Sequence, residues 1–544
     1  MALDRKNKAF RYFPVMPFDA NNINFEQAIV RLLVLLHTKG RVIVRNTRDE
    51  TQTIYPESLV EILKNDNENF EGINDHLRIR LMKNWIETDF ASTVIEGKGR
   101  QGRARISHLK PLHLSTIKLL DPKIRSQDRD ISIFLYNVFK GTSLAGDSDF
   151  LMSYLMEGAK RVGEFNLVVD ESKVDKLDVE TQFLLRILES FKVPSPSTKK
   201  DLVPEYKFLC DAFPKHFIID TLKLLVYKST VPRRELFNYL SIILNFHTAL
   251  FALKTFYQIN SFVNNNKIRC SVCKTISGET DFYKLCKCDF QPKIFVDLTQ
   301  GQDKICDMLS KKSLESHYNE MYRYFKSHYK LVKVSEFAKV QGNNNPTIEQ
   351  LGGYLSSPHL EGFFGYKLAE IINDEDLKDD PDIQDILKME ISSIDKYIDI
   401  LCNDKSNWKN LVARHKKLMA GLTNMNREDG FMQGGRGKQR KYVLGNLLLE
   451  VLVQLAVVSA DPHGFKTQYI TIVDFVEWLK NRYGIYINEW PEGSDSPETA
   501  KALNNNYNAL KERLRQLGFY TDLSDASNSQ VIKPRFKVEP ELVK

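Results

Sequence analysis

The sequence offers no stretch approaching the roughly 20 uninterrupted apolar residues that a spanning helix needs. Its most apolar run, Leu444 to Ala460, is broken by Asn446, Glu450 and Gln454 and reads as a buried helix. The opening residues, Met1-Ala-Leu-Asp-Arg-Lys-Asn-Lys8, lead into no apolar segment of a secretory signal. Cysteine is scarce and odd in number, seven in 544 residues, with four of them clustered. That pattern argues against a disulfide framework, so a reducing cytoplasm and no membrane association are the expected setting. Enzyme signatures are missing as well: no HExxH, GxSxG, kinase set or P-loop GxxxxGK[ST] occurs. No set of carboxylates and lysine on adjacent strands suggests a nuclease. Nor is there a strong charge of one sign. Lysine and arginine number 77 against 70 acidic residues, a net of +7, which permits an anionic partner without demanding one.

What is present is helical periodicity. Phe25, Ile29, Leu32, Leu33 and Leu36 recur at helical spacing, Gly40 closes the helix, and Arg41-Val-Ile-Val-Arg45 reads as a strand. A short helix over Pro56–Lys64 follows, which makes residues 1–74 a small α+β entry domain in an order that a winged helix shares. Residues 75–265 read as a helical domain, with helices at His76–Thr88, Ile131–Lys140, Asp149–Arg161, Val179–Phe191, Lys215–Tyr227 and Arg233–Val263. A strand at Lys293–Thr299 closes a module over 266–300. A second helical domain spans 301–426, with helices at Gln302–Ser310, Ser316–Lys326, Ile383–Cys402 and Trp408–Leu422. The basic linker 427–441 leads to the last domain, 442–544. The expected fold class is mainly α with small β elements: a multi-domain helical protein with a zinc-ribbon-like insert and a C-terminal winged-helix domain.

The four clustered cysteines form Cys270-Ser-Val-Cys273 and, after twelve intervening residues, Cys286-Lys-Cys288. Two short chelating turns joined by a small loop suit four thiolates on one tetrahedral Zn²⁺. Such a site has no open position for water, so the zinc is expected to be structural. Cys210, Cys306 and Cys402 are scattered in apolar contexts and read as core.

Two glycine-rich basic runs stand out. The first, Gly97-Lys-Gly-Arg-Gln-Gly-Arg-Ala-Arg105, supplies Lys98, Arg100, Arg103 and Arg105, and is extended by Lys110. The second, Gly434-Gly-Arg-Gly-Lys-Gln-Arg-Lys441, supplies Arg436, Lys438, Arg440 and Lys441. Glycine lets backbone approach phosphate closely, and arginine adds bidentate contacts. The alternative is two solvated loops. Arg103 and His108 have the R-x4-H spacing of a helical ribonuclease class, but Ala104 follows the arginine and the context is a glycine loop. His37 and His247 read as structural, and Asp297 as a lone carboxylate. No catalytic residue is nominated, and a non-enzymatic role is favoured over a cryptic nuclease.

The C-terminal order is three helices and a hairpin. Helices at Val443–Val458, Thr471–Tyr483 and Glu498–Leu517 precede two short strands, Phe519–Leu523 and Gln530–Phe536, around a polar turn. In a winged helix the third helix enters the major groove. Its outward face would carry Asn504, Asn505, Asn508, Lys511 and Arg515, and the wing would add Lys533 and Arg535. Asparagine can read adenine edges, and lysine or arginine can reach phosphate or guanine. The acidic loop Glu489–Asp495 keeps protein binding open as the alternative.

Phe475-Val-Glu-Trp-Leu-Lys-Asn-Arg-Tyr-Gly-Ile-Tyr-Ile487, with Leu510–Phe519 and Leu523–Ser527, resembles the end of accessory proteins from bacterial anti-phage defence islands. Methylation-associated defence systems are the nearest likeness; phosphorothioation-linked restriction and deazaguanine-modification systems are further relatives. The resemblance implies a DNA-associated adaptor subunit working on duplex DNA beside an ATPase, nuclease or methyltransferase. It carries over no catalytic residue.

Overall fold

The computed structural model describes all residues except 1–7, 43–54, 66–71, 93, 96–104, 107, 121–126, 141–146, 194–201, 271–287, 376, 378, 436–437, 462–463, 494–495, 521–530 and 540–544. The chain is mainly helical, 60% helix with few small strands. It forms two compact units, neither contiguous in sequence. The smaller comprises Asn24–Glu205 and Thr221–Ser241, and the larger Met1–Ile23, Tyr206–Asp220 and Ile242–Lys544.

In the smaller unit, α1 (Phe25–His37) is capped by Asn24, whose side chain accepts from the Gln27 amide. Its apolar stripe packs on α2 (Ile131–Lys140), of which eight residues are buried. Helix α3 (Asp147–Leu155) is shorter than its periodicity suggested. The chain instead turns at Gly158 into an antiparallel hairpin, β1 (Ala159–Val162) with β2 (Asn166–Val169). Arg41 forms an isolated bridge with Leu202; residues 43–45 of the expected strand lie outside the described residues.

Helices α4 (Ala212–Leu225) and α5 (Arg233–Asn265) contain the points where the two units are divided. Helix α5 runs unbroken for 33 residues and is long and apolar enough to cross a membrane, although charged and polar residues interrupt its apolar sequence. Within the protein 89% of its most apolar window is buried.

The larger unit is built on strand β3 (Ile294–Phe295) and helix α6 (Lys304–Val340), one 37-residue helix where two were expected. Asp303 caps it, accepting from the Ile305 and Cys306 amides. The expected helix 383–402 is two, Pro381–Lys388 and Ser393–Asn403, separated by a Ser392 cap. Helix α7 (Lys405–Leu422) follows. The glycine-rich basic run then departs from the expected linker. Strands β4 (Met432–Gly435) and β5 (Lys438–Tyr442) pair antiparallel, with β5 against α6.

The last stretch contains α8 (Asn446–Ala456), the hairpin β6 (Val458–Asp461) and β7 (Gly464–Thr467), β8 (Ile470–Thr471), α9 (Ile472–Tyr483), β9 (Ile485–Tyr486), α10 (Pro497–Gln516) and β10 (Val531–Ile532). Three helices stand where the sequence put them. The β6–β7 hairpin departs from the sequence reading, because Val458–Ala460 of β6 continue the apolar run of α8. Strand β10 pairs with β8, and residues 521–530, which hold most of the expected wing turn, lie outside the described residues. Strand β9 pairs in parallel with β3. The C-terminal stretch is therefore built into the larger unit and is not an appended module.

That pairing needs Gly484. It ends α9 in the left-handed region at φ +72°, and a Cβ there would meet the Pro292 carbonyl oxygen at 2.0 Å. Gly518 has a similar φ of +77° with open space around it. Gly484→Ala should therefore cost about 3 kcal/mol or more, against about 1 kcal/mol for Gly518→Ala, because only the first adds a backbone clash to the left-handed penalty. Urea unfolding of the two variants would check the difference, and equal costs would refute it.

Candidate nucleic-acid interface

Helix α10 starts at Ser496, whose hydroxyl accepts from the Thr499 amide, with Pro497 in the first turn. Ala502, Asn506, Leu510 and Leu514 fall at four-residue spacing and are buried. Asn506 is the tether. Its Oδ1 accepts from the Leu298 amide at 2.7 Å, and its Nδ2 donates to the Val296 and Ile487 carbonyls, both at 2.9 Å. One amide thus joins α10 to both chains of the parallel pair at the same end, just past β3 and just past β9. The opposite face exposes Lys501, Asn504, Asn505, Asn508 and Arg515, with Lys511 half-buried beside them. Some of these are engaged within the protein. Asn505 donates to Asp303 at 2.9 Å, Arg515 pairs with Glu512 at 2.6 Å, and the Lys511 ammonium lies 4.7 Å from the Tyr507 ring centre.

The second basic run behaves differently from a mobile arm. Arg436 lies outside the described residues, as does the side chain of Lys438. Arg440 donates to the Tyr318 hydroxyl and the Lys416 carbonyl. Lys441 turns inward, 2.7 Å from both Asp297 and Asp307. Burial alone would lower the Lys441 pKa; the two carboxylates outweigh it and raise it. Asp297, which looked solitary in sequence, also accepts from Thr299 and Gly301. The reason is a partner 144 residues away, which no local pattern reveals.

The remaining basic candidates are scattered. Arg535 is held by Glu450 and by the Leu517 carbonyl, while Lys533 is exposed. In the smaller unit, Lys98, Arg100 and Arg103 lie outside the described residues. Arg105 falls in a two-residue strand, Arg105–Ile106, paired with Val94–Ile95. Lys110 donates to the Thr88 carbonyl at 3.0 Å. His108 is buried.

Of the four expected zinc ligands, Cys273 and Cys286 lie outside the described residues. Cys270 and Cys288 meet in one apolar cluster with Phe290, Ala212 and Tyr257. Among the described residues no group of three or more side chains could hold a metal ion. The unexpected neighbour is Lys254, from the middle of α5, which donates to Cys210 Sγ at 3.1 Å. Burial pulls its ammonium down, and the Cys210 and Cys288 sulfurs outweigh burial and push it up. A lone lysine inside the apolar run Ala249–Phe256 was the available signal.

A family model for the methylation-associated defense system protein MAD7 matches residues 5–536. The chain belongs to that family. No curated protein and no solved structure matches it. The MAD7 match extends the likeness seen in the last fifth of the sequence to nearly the whole chain, and it establishes a role in a defence system.

One further cluster has no local signal in the sequence. Asp220 of α4, fully buried, is held by Arg482 at 2.5 Å, by the Tyr483 hydroxyl at 2.7 Å and by His247 Nε2 at 2.8 Å. Burial raises the Asp220 pKa, but Arg482 and His247 outweigh it and hold the carboxyl below the usual carboxylate range. All three partners converge on one carboxylate, so the cluster braces α4, α5 and α9 where they meet. His247 is structural here, in agreement with the reading of its apolar context.

Proposed function

We propose that this MAD7-family chain is a non-enzymatic, DNA-binding adaptor subunit of a methylation-associated defence complex, engaging duplex DNA through the exposed face of α10. The observation that carries this reading is the helix itself. Lys501, Asn504, Asn505, Asn508 and Arg515 form one polar exposed stripe, and the Asn506 tether fixes the opposite face. A recognition helix needs both properties, side chains that reach base edges and a rigid backing. The order α8, β8, α9, α10, β10, with β8 and β10 antiparallel, supports a winged-helix assignment for the last hundred residues. Lys533 and the Gly97–Arg105 run would add phosphate contacts. Arg440, Lys441 and Arg535 belong to other elements than the α10 stripe and are tied to Tyr318, Asp297 and the Leu517 carbonyl respectively, so they are left out of the interface.

The shared cluster of Cys270 and Cys288 supports a structural Zn²⁺ completed by Cys273 and Cys286. Lys254 would offset part of the charge that four buried thiolates bring. Partners would be the motor, nuclease or methyltransferase subunits of the same system. A second reading, a scaffold that binds protein only, is favoured by the exposed apolar side chains of Leu447, Tyr469 and Val473, the last two being 57% and 66% exposed.

Fluorescence anisotropy with a labelled duplex separates the two readings. We expect binding at low salt that weakens roughly a hundredfold between 50 and 200 mM salt, as several phosphate contacts release counterions. Asn508→Ala with Lys511→Glu should weaken binding about tenfold or more. Absence of duplex binding at low salt by the folded protein would exclude the DNA reading and leave the scaffold.

A further inference from the structure

The smaller unit contains a cleft of about 730 Å³, unrelated to any residue considered so far as a DNA contact. Its volume falls within the range of small-molecule sites. The end of α1, one side of α2, the length of α3 and the turn into β1 enclose it.

Its lining combines two chemistries. Five cationic side chains, Lys39, Lys140, Arg161, Lys173 and Lys228, border it, against one carboxylate, Glu157. Glu157 is already paired with Arg233 at 3.3 Å, and the nearest acid to Lys173, Asp170, stands 3.9 Å away at the limit of an ion pair. Four aromatic rings, Tyr136, Phe139, Phe150 and Tyr154, border the same space. The Lys228 ammonium lies over the Phe150 ring at 5.2 Å, so charge and ring are adjacent at the rim.

Two polar groups of the lining residues are unsatisfied. Tyr154 Oη and Arg161 Nε are both shielded from solvent and have no hydrogen-bond partner in the structure. A buried polar group left in that state costs about 1–3 kcal/mol, which marks the wall of the cleft as not fully satisfied by the protein itself. The backbone at the rim is also unusual. Lys39 and Gly40 are successive left-handed residues, at φ 55° and 84°, and a Cβ on Gly40 would meet the Tyr136 hydroxyl at 2.9 Å.

We infer that this cleft binds a free nucleotide, with the base among the rings and the phosphates on the lysines and Arg161. A simple anion would not call for four aromatic rings, and an apolar ligand would not call for five cations. Rings and cations together match a heterocycle carrying phosphates. The inference is independent of the DNA reading, since it rests on a different unit and different residues.

Isothermal titration calorimetry on the full chain tests it, using ATP, GTP, inorganic triphosphate and a six-residue thymidine oligonucleotide as separate probes. At least one of ATP and GTP should bind at one site per chain, and inorganic triphosphate at least about tenfold more weakly, the difference being the base. Arg161→Ala should weaken nucleotide binding about tenfold, and so should Lys228→Gln, an exposed change that leaves folding undisturbed. Failure of both nucleotides to bind at millimolar concentration overturns the inference. Triphosphate binding as tightly as the nucleotides overturns it in favour of a plain anion site. An oligonucleotide that binds more tightly and displaces the nucleotide overturns it in favour of a single-strand site.

Discussion

Lowering the pH from 7 to 5 should destabilise the larger unit by on the order of 5 kcal/mol, because three of its histidines are buried in the neutral form. Burial brings His317 and His328 down to about 3 and His415 to about 4, and each is at most 3% exposed. Their hydrogen bonds fix that state. His328 Nε2 donates to the Phe10 carbonyl while Nδ1 accepts from the Tyr324 hydroxyl, so neither nitrogen can take another proton without losing a partner. His415 Nδ1 donates to the Leu411 carbonyl at 2.9 Å. In the unfolded chain each titrates near 6.5. Stability is therefore intact above about pH 6.5 and falls below it, since the unfolded chain takes up protons that the folded one refuses. Each histidine contributes about 1.4 kcal/mol per pH unit until its folded pKa is reached. Urea unfolding as a function of pH measures the slope, and calorimetry should find nearly three protons taken up on unfolding near pH 5. A midpoint that does not move between pH 7 and 5 would show that these histidines are protonated in the fold.

Asp220→Ala should cost about 3–5 kcal/mol, the usual consequence of leaving one partner of a buried ion pair without the other. Arg482 has a side chain 6% exposed and would lose its carboxylate partner while keeping the His216 carbonyl and its contact with Tyr483. The Tyr483 hydroxyl and His247 would lose the same acceptor. Asp220→Leu combined with Arg482→Leu should recover much of that loss, because the pair is then replaced by packing and no lone charge stays buried. Thermal and urea unfolding of the single and double variants give the coupling directly. A single variant that loses under 1 kcal/mol would mean that water reaches Arg482.

The elements legible in sequence were those whose stabilising features are local. Ile131–Lys140 has the bounds its periodicity gave, and Thr471 caps α9 through the Asp474 amide as its spacing suggested. In α10 the repeat Ala502, Asn506, Leu510 separates the buried asparagine from its exposed neighbours Asn504, Asn505 and Asn508. Features set by distant partners were not legible. The stretch between Ser310 and Ser316 looked like a break in a helix, yet Ser310 and Ser313 bond to the Tyr442 and Lys293 carbonyls and the helix continues. The glycine-rich run 434–441 looked like a loop because its only apolar anchor is Tyr442 and its buried charge depends on Asp297. Asp220 gave no signal, since its partners come from α5 and the end of α9.

The parallel pairing of β3 with β9 also bears on how the chain is made. A ribosome adding about 5–20 residues each second would need roughly 10–40 seconds to travel from Ile294 to Ile485. Through that interval Ile294 and Phe295, both fully buried in the finished protein, have no strand to lie against. Val296 and Leu298 likewise await the amide of Asn506. A nascent chain at this stage exposes an apolar strand edge, the kind of surface that holding chaperones recognise and that truncated transcripts would leave permanently open.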